Sequence, residues 1–148
     1  MPDILHKVGI KSSSLDAVYN ALTTCEGLAG WWTTDTHGEP DKLGGLVQFR
    51  FGRGGFDMRV AQLKPQTYVL WNVIDGPEEW IGTTIDWQLK QEDDYIVVLM
   101  KHMGWKEPVE FMHHCSTKWA IFMMSMKSLL ETGKGAPNPH DVKIDNWN

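Results

Sequence analysis

The sequence predicts an α+β fold in which a curved antiparallel sheet packs around one long C-terminal helix. First, residues 113–135 carry large apolar side chains at helical spacing. Second, residues 46–103 alternate apolar and polar side chains and are broken by tight turns, which is typical of consecutive β-hairpins. Third, these strands are grouped before the helix, an order typical of α+β proteins. Because antiparallel sheets twist strongly, we expect this one to curl around the helix.

The long helix is predicted over residues 113–135, with Ser116 or Thr117 as its N-cap and Gly133 at its end. Lys118 and Ser125 fall on its other sides. Large side chains gain about 1.5–3 kcal/mol each on burial, so we expect the apolar face to lie against the sheet. That face follows steps of three and four residues: Cys115, Trp119, Phe122, Met126 and Leu129, widened by Met123 and Leu130.

The N-terminal part predicts one strand and two short helices. Residues 3–11 alternate loosely and indicate a strand. Serines at 12–14 can cap an amphipathic helix over residues 15–22, and a second helical turn covers 25–28. Glycines and a proline in residues 33–45 predict an irregular segment.

Five further strands complete a sheet of about six, in the order β-α-α-β5-α. They are predicted at residues 46–51, 56–60, 68–74, 80–89 and 95–103. In the fourth, Ile85 and Trp87 share the apolar side, so Asp86 is expected to face solvent. Residues after Gly135 are rich in Pro, Asn and Asp, and we expect a surface strap or a partly mobile tail.

Composition excludes several classes of partner. The 148 residues suit one domain, and the net charge of −5 argues against nucleic-acid binding. There is no basic amphipathic helix, no apolar run of eighteen residues and no signal peptide, so we expect no membrane insertion. The two cysteines lack a CxxC spacing, which favours a cytoplasmic protein with reduced thiols. Eight Trp and eight Met suit either a core of large side chains or an adaptable cavity.

Four segments together resemble a known family: VYNALTTCEGLAGWW, GGLVQFRF, KHMGW, and SLLETGKGAP following Trp119. They are similar to the START-like, or SRPBCC, superfamily, and closest to its group named for the activator of heat-shock protein ATPase. The resemblance implies a helix-grip domain over residues 1–137, followed by a tail over 138–148. It also implies an internal cavity, because members bind lipids, sterols, polyketides or plant hormones, and some act as cyclases or hydrolases.

The function expected from this pattern is binding of a hydrophobic small molecule between sheet and helix. Most ligand pockets are concave and mainly apolar, with few polar groups. In the alternative interpretation the same side chains fill the interior and no cavity exists. The expected lining consists of Trp31, Trp32, Phe49, Phe51, Met58, Trp71, Trp87, Met100, His102, Trp119, Met123 and Met126.

An enzyme of the cyclase or hydrolase type is the first alternative, with His102 as candidate acid or base and Thr84 as a cavity-facing polar group. A structural role, with the His102 ring hydrogen-bonded to the following turn, competes with it. No metal or other cofactor is expected, because the histidines and cysteines lack the spacing of a metal site. They are His102, His113, His114 and Cys115, with Cys25 or His37 as further ligands.

A chaperone-activator-like interaction module is the second alternative. Exposed tryptophans are efficient interaction hot spots, and Trp80, Trp105 and Trp147 are the candidates. Many tryptophans also suggest cover by a twin subunit, so a homodimer is a further expectation.

Overall fold

A computed structural model describes residues 2–148. Over this range the chain forms seven strands and three helices. In chain order they are β1 (Ile4–Lys11), α1 (Leu15–Thr23), α2 (Cys25–Trp31), β2 (Asp35–Gly38), β3 (Leu46–Phe51), β4 (Gly54–Lys64), β5 (Tyr68–Asp75), β6 (Thr84–Glu92), β7 (Tyr95–Met103) and α3 (Glu110–Thr132).

All the strands join one antiparallel sheet in the order β1-β7-β6-β5-β4-β3-β2. Hairpins connect most neighbours, and β1 lies beside β7 at the opposite edge from β2. The sheet curls into a half-barrel, and α3 packs in it with Trp119 against Trp87 of β6, ring centroids 5.7 Å apart. The predicted α+β, helix-grip fold is confirmed.

The predicted sheet lacked one strand. Residues 33–45 were expected to be irregular, but Asp35–Gly38 pair with β3 as an edge strand. Short edge strands with polar side chains show no apolar alternation, so the pattern alone does not reveal them. β6 was also misplaced at its start, because Trp80 lies in a turn where its backbone N–H donates to the Pro77 carbonyl oxygen.

Helix α3 begins earlier than predicted. Its N-cap is Val109, and Ser116 and Thr117 lie inside the helix, so the expected serine or threonine cap is wrong. The N-terminus follows Pro108 and carries Glu110 in its first turn, where an acidic side chain favours the helix dipole. The C-terminus is as predicted: Gly133 adopts the left-handed conformation with φ 88°.

Residues 136–148, called the strap below, run along α3 and bury side chains outside the predicted apolar face of the helix. Ser125 Oγ accepts a hydrogen bond from the Ala136 backbone N–H at 2.8 Å. Lys118 is only 8% exposed because the strap covers it. The strap is fixed to the body where Asn138 pairs with Thr33 as a β-bridge.

Asp86 is a further correction. Alternation places it on the face of β6 opposite Trp87, yet it is only 7% exposed rather than facing solvent. The neighbouring Tyr68 hydroxyl donates a hydrogen bond to Asp86 Oδ2 at 3.0 Å. Burial raises the pKa of the Asp86 carboxyl, while this bond and the nearby Lys101 lower it, with a net increase.

None of the helices within residues 2–148 combines the length and apolar character needed to cross a bilayer.

Candidate binding cavity

A cavity of about 210 Å³ lies beside the N-terminal half of α3, between the β3–β4 hairpin and the β5–β6 loop. Most of its lining is aromatic or aliphatic. The lining residues are Trp32, Phe51, Gly55, Phe56, Pro77, Trp80, Phe111, His114, Cys115, Lys118, Trp119, Phe122 and Asn148.

Three indoles from separate segments form the inner wall. Trp32 caps the C-terminus of α2, Trp80 sits in the turn before β6, and Trp119 projects from α3. Trp119 lies 4.9 Å from Trp32 and 6.0 Å from Trp80 between ring centroids. Phe56 of β4 stacks on Trp80 at 4.3 Å. This wall presents aromatic faces and edges, which suit a flat apolar molecule.

Behind this wall, His102 is fixed by hydrogen bonds on both ring nitrogens. Trp119 Nε1 donates to His102 Nδ1 at 3.1 Å, and His102 Nε2 lies 2.9 Å from Thr83 Oγ1. Since Nδ1 accepts, Nε2 carries the proton and donates to Thr83, whose own hydroxyl donates to the Trp80 carbonyl oxygen. Burial lowers the pKa of His102 to about 3, so the ring is neutral.

The twelve residues expected to line a cavity separate into two groups. Trp32, Phe51 and Trp119 line the cavity just described. The other nine fill the interior and are each at most 1% exposed: Trp31, Phe49, Met58, Trp71, Trp87, Met100, His102, Met123 and Met126. Among them, Trp87 meets Trp31 at 5.6 Å and Trp71 at 5.7 Å in edge-to-face contacts. The interior around these nine residues is therefore packed, and the cavity lies at its edge, beside the N-terminal half of α3.

Sequence reasoning missed several residues of the lining. Phe56 was seen only as a strand residue, Trp80 as a strand residue or an exposed hot spot, and Lys118 was placed on another side of the helix. A signal for Lys118 did exist, because it lies three residues after Cys115 and four before Phe122, on the same helical stripe. Predicting its burial also required knowing that the strap covers it.

Basic side chains occupy the strap side of the cavity. Lys118 Nζ donates to Asp141 Oδ2 at 2.5 Å and to the Val142 carbonyl oxygen at 2.9 Å. One turn earlier, His114 Nδ1 donates to Asp145 Oδ2 at 2.6 Å, and this bond lowers the pKa of Asp145. Two basic groups of the lining, one helical turn apart on α3, are thus each paired with a carboxylate of the strap.

The Cys115 thiol in the lining is poorly suited to nucleophilic chemistry. It is buried, and it accepts a hydrogen bond from Trp80 Nε1 at 3.4 Å. Burial raises its pKa to about 12, so the thiolate is scarce at neutral pH. Among residues 2–148, no three His, Cys, Asp or Glu side chains converge as a metal site would require.

The tryptophans expected to be exposed also differ from prediction. Trp80 and Trp105 are buried, Trp80 in the cavity wall and Trp105 beside His102 with ring centroids 5.1 Å apart. Trp147 in the strap is 48% exposed, so that expectation is correct for it alone among the three.

A family model described as "Activator of Hsp90 ATPase homolog 1-like protein" matches residues 12–131. The chain belongs to this family. The solution structure of the Aha1 dimer from Colwellia psychrerythraea is 43% identical with a TM-score of 0.84, and the match covers 91% of this chain and 100% of that one. A comparison with curated proteins gave no significant match.

More distant structures share the fold alone with this member of the activator family. DynU16, a putative protein in the dynemicin biosynthetic locus, is 23% identical with a TM-score of 0.73, over 90% of this chain and 48% of that one. CalU16 from Micromonospora echinospora is 14% identical with a TM-score of 0.74, over 93% of this chain and 77% of that one.

Proposed function

We propose that the protein binds a small hydrophobic molecule of one or two rings in the cavity beside α3. The observation that carries this proposal is the apolar, indole-walled space of about 210 Å³. An engineered apolar cavity of about 150 Å³ binds benzene, so this one suits a benzene- to naphthalene-sized group. Drug-sized pockets span about 300–1,000 Å³, so a sterol or a long lipid would need the walls to move.

Binding is favoured over catalysis by where the polar groups lie. The catalytic candidate His102 is separated from the cavity by Trp80 and Trp119, and both of its ring nitrogens are already hydrogen-bonded. Thr84, the other polar candidate, is not part of the lining. A general acid or base must reach the reacting atoms, and neither residue does so here.

A homodimer is a second proposal, supported by the dimer of the 43% identical Colwellia relative. Light scattering coupled to size exclusion tests it: a mass of twice 16.9 kDa supports it, and a monomer mass at 100 µM chain contradicts it. A chaperone-activating role is named in the family description, but two of the three tryptophans expected to be exposed for it, Trp80 and Trp105, are buried.

Thermal unfolding with 2-naphthamide tests the binding proposal. A ligand of the native state at 100 times its Kd stabilises by about 2.7 kcal/mol, which raises the melting temperature measurably. Cys115→Met extends a side chain from the cavity wall and should abolish the increase. Cys25→Met makes the same change outside the lining and is the matched control. No increase in the wild type, or an equal increase in Cys115→Met, contradicts the proposal.

A further inference from the structure

Lys118 is an unusual residue in an aromatic cavity. It projects from α3 into the lining, is 8% exposed, and its Nζ lies 5.6 Å from the ring centroid of Phe122, another lining residue. A buried ammonium group requires a partner of opposite charge, because removing it from water is costly. The identity of that partner is informative about what the cavity can accept.

The partner comes from the strap and not from the sheet or a helix. Asp141 is fully buried on its side chain, with Oδ2 on Lys118 Nζ. Its other oxygen, Oδ1, has no hydrogen-bond partner among residues 2–148. Buried ion pairs gain net stability only when the remaining lone pairs are also satisfied, so this pair is incompletely compensated. A better-bonded carboxylate could replace it.

The same arrangement repeats one helical turn away. His114 lies four residues before Lys118, on the same face of α3, and also lines the cavity. Its partner Asp145 lies four residues after Asp141, again in the strap. The strap therefore places a carboxylate on each of two basic side chains in the lining of an apolar cavity.

We propose that Lys118 and His114 are the anion-binding end of the cavity and that its ligand is a small aromatic carboxylate. In the ligand-free protein, Asp141 and Asp145 occupy the position of that carboxylate. When the ligand binds, its ring lies against the indole wall and its carboxylate displaces Asp141 from Lys118. This inference rests on the binding function proposed above and specifies its ligand class.

The strap is built for such a displacement. It has no helix or strand of its own, apart from the single bridge between Asn138 and Thr33. Beyond that bridge it is held by the two carboxylates, by the Val142 carbonyl oxygen that also accepts from Lys118 Nζ, and by Trp147. The Trp147 ring lies 5.4 Å from His114 and 6.3 Å from Phe111. Segments with so few packed contacts open at low free-energy cost.

Calorimetric titration with 2-naphthoate and its neutral analogue 2-naphthamide tests the ligand class. We expect naphthoate to bind wild type at least 10-fold more tightly than the amide. Asp141→Asn removes the competing carboxylate and should raise naphthoate affinity several-fold. In Lys118→Met/Asp141→Asn, naphthoate affinity should fall at least 10-fold below that of Asp141→Asn, with amide affinity within twofold. The double variant leaves no unpaired buried charge, so it should fold.

Lys127→Met is the matched control, since Lys127 lies on α3 but pairs with Glu131 away from the cavity. If wild type binds naphthamide and naphthoate with equal affinity, and the double variant does the same, the anion-binding end is overturned. The proposed binding function remains intact in that case. Failure of both probes to bind any variant overturns the binding function and the anion-binding end together.

Backbone amide hydrogen exchange tests the displacement of the strap. Exchange of the residues around Asp141 should accelerate when naphthoate is bound and not when naphthamide is bound. Unchanged exchange with naphthoate bound overturns displacement of the strap.

Discussion

Trp119 of α3 donates its indole Nε1–H to His102 Nδ1 of β7 at 3.1 Å. This bond joins the long helix to the sheet and sets the orientation of an indole that walls the cavity. The histidine thus has a structural role, and its other nitrogen extends the network to Thr83 in the turn before β6.

His102→Ala should destabilise the fold by about 3 kcal/mol, because it leaves a buried indole N–H without an acceptor and opens a void. Urea unfolding at pH 7.5 measures the change. The exposed His140 provides the control, and His140→Ala should lie within about 0.5 kcal/mol of wild type. Equal effects of the two variants would show that the network contributes nothing to stability.

Stability should fall with acid in a way that depends on His102. Its folded pKa of about 3 lies below the ordinary 6.5, so its contribution is present above pH 6.5 and is lost as pH falls toward 3. At about 1.4 kcal/mol per pH unit, the loss from this group at pH 5 is about 2 kcal/mol. His102→Gln keeps an acceptor and a donor but does not titrate.

Urea unfolding of wild type and His102→Gln between pH 4 and pH 7.5 checks this. Below pH 6.5 we expect the free energy of unfolding to decline more steeply for wild type than for His102→Gln. Any advantage of wild type at pH 7.5 should therefore shrink as the pH falls. If the two proteins lose stability in parallel as the pH falls, protonation of the His102 ring does not destabilise the fold, which contradicts the prediction.

Asp86→Asn should change the free energy of unfolding, measured with urea, more favourably relative to wild type at pH 7 than at pH 3.5. The pKa of Asp86 is raised in the fold, so the native state binds its proton more readily than the unfolded chain and its charged form is disfavoured at neutral pH. Asparagine still offers an oxygen to the Tyr68 hydroxyl. The exposed Asp41→Asn is the control. A variant less stable than wild type at pH 7 but not at pH 3.5 would contradict this sign.

The two cysteines should differ in reactivity. Cys25 is half-buried, and partial burial and the nearby Asp41 raise its pKa, whereas Cys115 is buried with its pKa raised to about 12. Because only thiolates react, we expect Cys25 to react with Ellman's reagent at least about 100-fold faster at pH 8. Cys25→Ser should leave one slow thiol, and Cys115→Ser one fast thiol. Equal rates would indicate that the cavity opens readily to reagent.

The fold could be predicted because its signals are local. Period-two strands and the apolar stripe through Trp119 and Phe122 each specify an element without knowledge of the others. The N-terminus of α3 was misjudged because Val109 provides no side-chain cap. The edge strand β2 was missed because its stability comes from pairing with β3 and not from its own side chains.

The cavity could not be placed from the sequence because its position depends on how side-chain volumes fill the half-barrel. Trp31, Trp71 and Trp87 pack against neighbouring rings and exclude a central space. The cavity lies where α3, the β3–β4 hairpin and the β5–β6 loop come together. No sequence pattern shows that these three segments are neighbours. Burial of Lys118 likewise depends on Asp141, 23 residues away.

The indole N–H signals of ¹⁵N-labelled protein during titration with 2-naphthamide test most directly whether the cavity binds a ring. Eight tryptophans give eight resolvable reporters. We expect the signals of Trp32, Trp80 and Trp119 to shift in a saturable way while those of Trp31 and Trp87 stay fixed. A spectrum that does not change, or in which the fixed pair moves and the cavity wall does not, would contradict binding at this site.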